Sequence, residues 1–162
     1  MKSLYSFVVK PHDDRYDNIR RVDGNNLIIN TSIENHRFIS KKAVVVSTPA
    51  AYTTKINIGD ELYIHHNVFR RWYDQKGNER NSSTHFKDDL YFVSPGQIYM
   101  YNLKPHLDYC FVKPLKNQNL LENRKEQPNV GIVKYTNNAL EAIGITPGTL
   151  ITFTPNSEFE FI

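Results

Sequence analysis

The 162-residue chain carries 20 Lys and Arg against 17 Asp and Glu, a formal net charge of +3, with 40% hydrophobic residues, eight Pro, seven Gly and one Cys. That hydrophobic share supports a packed core, in one domain of ordinary size or two small ones, and excludes a wholly disordered chain. A charge this small carries no signature of nucleic-acid binding, and no run approaches the ~20 apolar residues of a membrane helix.

Ten Tyr, nine Phe and many Val and Ile tilt the composition toward strands, and the Pro and Gly punctuate a turn-rich fold, so mostly β structure is expected. The N-terminal stretch MKSLYSFVVKP lacks the apolar length and cleavage pattern of a signal peptide. The lone Cys110, in DYCFVKP, reads as a buried reduced thiol. Both point to a cytoplasmic protein.

In chain order, LYSFVVKP (Leu4 to Pro11) reads as a strand. A polar segment follows, and after it FISKKAVVVSTP (Phe38 to Pro49) and KINIGDELYIHHNVF (Lys55 to Phe69) read as strands bounded by Pro, Gly or polar clusters. The charged stretch DQKGNERNSSTHFKDD reads as a loop. Beyond it come the strand LYFV (Leu90 to Val93), a turn at Ser94-Pro95-Gly96, and QIYMYNL. NNALEAIG (Asn137 to Gly144) is the one helical segment, with Asn to cap it and Gly to close it.

The pattern repeats. Val9-Lys10-Pro11 returns as Val112-Lys113-Pro114, KAVVVSTP is echoed by GIVKYTN (Gly131 to Asn137), and INIGDELYIHHN by GITPGTLITFTPN (Gly144 to Asn156). In both copies a Gly, Gly59 or Gly148, opens an alternating strand that ends at an Asn. Two domains are therefore expected, 1–103 and 104–162, the second stopping before any equivalent of Leu90 to Tyr101.

This order of elements resembles the co-chaperonin family with the GroES-like fold, an irregular β-barrel. Pro105, Asp108, Val112 and Lys113 in PHLDYCFVK fall on the spacing of the family's first strand. KKAVVVSTP resembles its Gly-x-Val strand, INIGDELYI its Val-Gly-Asp turn, with Ile58, Gly59 and Asp60 on the turn, and DDLYFVSPGQIYMY its final hairpin. The resemblance implies a GroES-like barrel followed by a second, incomplete copy. It also implies a non-catalytic lid that assembles as a homo-oligomeric ring and caps a chaperonin ring. The partner would bind the ATP, and unfolded client proteins would be enclosed.

Within the polar segment, Leu27, Ile28 and Ile29 form a small aliphatic knot. The resemblance assigns these three residues to chaperonin docking. The physical reading agrees: too few apolar residues lie between Pro11 and Phe38 to offset backbone ordering, so the segment is expected to be mobile when free and to order on binding. The second copy offers Leu120-Leu121 followed by Glu122, not a full triad.

The other candidates are weaker. His65 and His66, taken as strand neighbours, point to opposite faces and cannot share a metal. Asp13 and Asp14 read as an acidic turn, and no zinc spacing, nucleophile elbow or phosphate loop occurs, so neither cofactor, metal nor catalysis is expected. Arg71, Trp72 and Tyr73, in FRRWYDQ, form a possible surface contact. They carry the alternative reading, a structural or carbohydrate-binding module such as a virion component.

Overall fold

The computed structural model describes residues 2–28, 33–117 and 126–158. The chain is mostly β, as the composition implies, and it divides into two compact units, Met1–Asn102 and Leu103–Ile162.

In the first unit, β1 (Phe7–Pro11) pairs antiparallel with β4 (Lys42–Ser47), which pairs antiparallel with β5 (Glu61–Ile64). Two strands extend this meander on its outer edges. β9 (Leu90–Val93) runs along β1, and β10 (Ile98–Tyr101) along β5, while β8 (His85–Lys87) pairs with β9. The order β10-β5-β4-β1-β9-β8 is that of an open sheet, and no pairing among the described residues closes it into a barrel.

Alternation places Phe7, Val9, Ala43, Val45, Leu62, Ile64, Tyr91, Val93 and Ile98 in one core, each at most 1% exposed. Phe69 meets Tyr91 there edge to face, with ring centroids 4.9 Å apart. Edge-to-face contact is the favoured geometry for aromatic pairs.

Two parts of this unit depart from expectation. The polar segment contains a two-stranded hairpin, β2 (Ile19–Val22) with β3 (Asn25–Ile28). Its Asp23-Gly24 turn has positive φ at both residues, 49° and 81°, which is the primed turn that suits strand twist. The charged stretch after Tyr73 is also structured, pairing β6 (Arg71–Tyr73) with β7 (Glu79–Asn81). Asp74 organises that turn: its Oδ1 accepts from Lys76 N and Asn78 N, and its Oδ2 from Arg80 Nε. These bonds hold the carboxylate below its usual pKa, the Asn78 backbone N–H contributing most.

The second unit opens with the two-residue β11 (Lys104–Pro105), followed by β12 (Phe111–Lys116), β13 (Glu126–Tyr135), α1 (Asn138–Ala142) and β14 (Leu150–Thr152). Helix α1 is capped by Asn137, whose Oδ1 accepts from Leu140 N at 2.9 Å, and Gly144 follows at φ 87°. β12, β13 and β14 form a meander with the registry of β1, β4 and β5. Val9↔Val45, Lys10↔Val44 and Pro11↔Ala43 recur as Val112↔Val133, Lys113↔Ile132 and Pro114↔Gly131. A bulge follows the first paired residue in each case, between Val8 and Val9 or between Phe111 and Val112.

The turn into the third strand is repeated bond for bond. Gly59 N donates to Val45 O and Val45 N to Asp60 O; Gly148 N donates to Val133 O and Val133 N to Thr149 O. Gly59 and Gly148 have φ of 92° and 93°, a region that residues with a Cβ rarely enter. The same side-chain brace closes both turns, Asp60 Oδ2 accepting from Asn57 N and Thr149 Oγ1 from Thr146 N. The spacing of these residues in sequence is thus a structural repeat of a three-strand module.

Candidate functional site

The β2–β3 hairpin combines an apolar surface with a firmly held base. In register, Ile19 faces Ile28 on one side of the ribbon, and Arg20 faces Leu27 on the other, next to the Val22↔Asn25 pair. Ile19, Val22, Leu27 and Ile28 are 47, 52, 59 and 60% exposed. Both faces of the ribbon therefore carry aliphatic side chains and neither packs on the core. Scattered exposed aliphatics are ordinary, but four on one isolated ribbon leave it without the packing that usually sustains two strands. Of the docking triad, Leu27 and Ile28 lie on β3, and Ile29 lies outside the described residues, as do Leu120 and Leu121.

Both limbs of the segment are fastened below the ribbon. Tyr16 is 6% exposed and bridges to Ile39; Asp17 N donates to Phe38 O at 2.8 Å, and Ser40 N to Arg15 O at 3.0 Å. The Tyr16 hydroxyl donates to Ile33 O at 2.6 Å and accepts from Arg71 N at 2.8 Å. Ile33, 7% exposed, joins the core. Arg15 clamps the opposite limb to the β6–β7 region. Its Nε donates to Phe69 O at 2.6 Å, its Nη1 to Asn81 Oδ1 at 2.7 Å and its Nη2 to Arg70 O at 3.1 Å, while the guanidinium sits 5.0 Å from the Tyr91 ring centroid. A planar fork suits this three-way contact, and a lysine cannot reproduce it.

Of the possible surface contact, Trp72 and Tyr73 are 42 and 52% exposed on β6, whereas Arg71 is a component of the base. Its guanidinium lies 4.4 Å from the Tyr16 ring centroid and its Nη1 is 2.7 Å from Glu79 Oε1.

His65 and His66 do not sit on a strand. β5 ends at Ile64, and a 3-10 turn over His66–Val68 stacks the two rings at a centroid distance of 4.3 Å, with His36 5.5 Å from His66. Among the described residues no group of three or more His, Cys, Asp or Glu could hold a metal. His65 Nδ1 instead accepts from Asn67 N as a cap. Burial, then His65 and His36, push the His66 pKa down to about 4. Below the ordinary value near 6.5, unfolded chains take up a proton that the folded chain refuses until about pH 4, so stability falls on acidification through that window. His66→Gln is expected to shrink the loss of melting temperature between pH 7 and pH 5; an unchanged loss would remove His66 as its source.

Cys110 is half-buried rather than fully buried, and burial raises its thiol pKa. Asp13 and Asp14 are exposed, Asp13 Oδ2 lying 2.9 Å from His12 Nδ1.

The sequence reading passed over Ile19 and Val22, which share the ribbon with Leu27 and Ile28. The signal for them is Asp23-Gly24, a two-residue hairpin marker. Gly24 has open space around its missing Cβ but a φ of 81°. Gly24→Ala is therefore expected to cost the ribbon about 1 kcal/mol. Trypsin cleavage after Arg20 and Arg21 should speed up several-fold with the global melting temperature unmoved; equal cleavage rates would show the turn does not hold the ribbon.

Compared with known proteins, the chain matches no family model, no curated protein and no solved structure. Among the described residues no helix is long and apolar enough to cross a membrane.

Proposed function

We propose that this chain is a co-chaperonin-type lid that docks on a chaperonin ring through the β2–β3 ribbon. The observation that carries this reading is a hairpin whose Ile19, Val22, Leu27 and Ile28 are all about half exposed or more, above a base tied into the core. Such a ribbon presents aliphatic side chains to an apolar groove while its base transmits position to the body of the unit. Each buried aliphatic contributes roughly 1.5 to 3 kcal/mol before ordering costs, so one ribbon binds weakly and several on a ring bind firmly and reversibly. The order of strands and the Gly59-Asp60 turn support the co-chaperonin reading by resemblance, whereas the final hairpin it implies is absent among the described residues, β9 pairing with β1 and β10 with β5. On it, the chain forms a homo-oligomeric ring in the cytoplasm, encloses unfolded clients without chemistry of its own, and leaves ATP to its partner.

The test is co-sedimentation with a bacterial chaperonin, with and without ATP, for the chain and for a variant with Leu27, Ile28 and Ile29 all changed to Ser. Nucleotide-dependent binding lost in the variant supports the lid. No binding by the folded chain favours the second reading, a non-catalytic binding module with a GroES-like fold whose contact is the exposed pair Trp72 and Tyr73.

A further inference from the structure

The β2–β3 ribbon carries cations as well as aliphatic side chains, and its register interleaves them. On one face the Ile19↔Ile28 pair is followed toward the turn by Arg21↔Asn26; on the other, Arg20↔Leu27 is followed by Val22↔Asn25. Every residue of both strands is exposed. Each arginine is thereby set among aliphatic side chains of its own face, Arg21 beside Ile19 and Ile28, and Arg20 beside Leu27 and Val22. Arg21 Nε donates to Asn26 Oδ1 at 3.4 Å, across the ribbon. The turn adds one carboxylate, Asp23, so the ribbon keeps a net positive charge.

This interleaving constrains whatever receives the ribbon. A groove that buries Leu27 and Ile28 also draws Arg20 and Arg21, one on each face, out of water. A guanidinium keeps its charge at any pH a protein meets, so a wholly apolar wall would leave it buried and unpaired, one of the costliest arrangements in an interface. Resting on the lid reading above, we propose that the groove receiving the ribbon is lined by carboxylates as well as aliphatic side chains, with an acidic group for Arg20 on one wall and another for Arg21 on the opposite wall. A guanidinium meets a carboxylate through two parallel hydrogen bonds, and that pairing fixes the register in which Leu27 and Ile28 enter. An anionic lipid surface is the other source of negative charge. The ribbon favours a groove, because its two cations project from opposite faces and a flat membrane meets one face at a time.

Co-sedimentation of the full chain with a bacterial chaperonin and ATP, at about 0.1 M and about 0.5 M salt, tests the proposal. Two double variants carry it. Arg20→Met with Arg21→Met keeps the apolar stems and deletes the charges. Acidic walls predict binding weakened about tenfold or more at low salt, whereas a purely apolar groove predicts tighter binding, so the sign of the change decides. Arg20→Glu with Arg21→Glu sets like charges together, and is expected to weaken binding about a hundredfold or more at low salt, with part of the loss recovered at high salt. Both arginines are exposed, so the melting temperature of either variant should not move, and its measurement confirms that each is folded.

Unchanged or tighter binding by the Met variant overturns the proposal and leaves the lid reading standing, as does a Glu variant that binds as well as the natural chain. No binding by the folded natural chain at either salt overturns both. Flotation with vesicles of phosphatidylserine and phosphatidylcholine is the remaining arm. Flotation that depends on the two arginines, without arginine-dependent binding to the chaperonin, assigns the ribbon to a lipid surface and overturns the groove.

Discussion

On the proposed lid reading, changing Leu27 and Ile28 together to serine is expected to abolish attachment to a chaperonin ring while leaving the protein's stability unchanged. Both side chains are about 60% exposed, so the folded chain loses little when they are shortened, and the melting temperature should move by less than about 1 °C. In a docked state the same two side chains would be buried. At roughly 1.5 to 3 kcal/mol each, their loss amounts to about a hundredfold or more per ribbon, and more for a ring that binds through several ribbons. Calorimetry and co-sedimentation on one preparation separate the two effects. Retained binding would move the contact off the ribbon; a large fall in melting temperature would mean that the pair packs within the protein.

The opposite signature is expected of Arg15. Arg15→Met keeps much of the stem and deletes the fork, leaving Phe69 O, Arg70 O and Asn81 Oδ1 without those donors. Charge-assisted bonds to partly buried carbonyls are worth about 1.5 to 3 kcal/mol each before solvent compensates, so a loss of about 2 to 4 kcal/mol is expected. For a unit of this size that lowers the melting temperature by about 10 to 20 °C. Arg15→Lys should recover only a minor part, because an ammonium cannot span three acceptors in a plane. Full recovery by lysine would show that charge, not the fork, fastens the base. Together the two variants distinguish a residue that presents the ribbon from residues that contact a partner.

Much of the fold was legible because it rests on local patterns. The alternation in Leu90 to Val93 became β9 with those bounds, the Asn137 cap and Gly144 bracket α1, and Gly59 sits at the positive φ that its turn requires. The charged composition after Tyr73 implies a loop and hides the Asp74 and Gly77 turn that pairs β6 with β7. His65 and His66 look like strand residues in sequence because the apolar run through Ile64 gives no local sign of where pairing stops. Pairing with β10 ends there, and His65 N instead donates to Gln97 O.

By itself the sequence determined the β class, the Gly59 turn and the repeated three-strand pattern, since each depends on the φ preferences and the period-two alternation of neighbouring residues. Only the tertiary structure decided that Ile19, Val22, Leu27 and Ile28 stand clear of the core and that Arg15 and Tyr16 hold the ribbon's base through partners more than fifty residues away. It alone decided that Val112, Ile151 and Phe153 of the second module are half-buried while Val133 is buried. Exposure and long-range hydrogen bonding depend on which distant strands come to lie beside a segment, and that is not written in the segment's own residues.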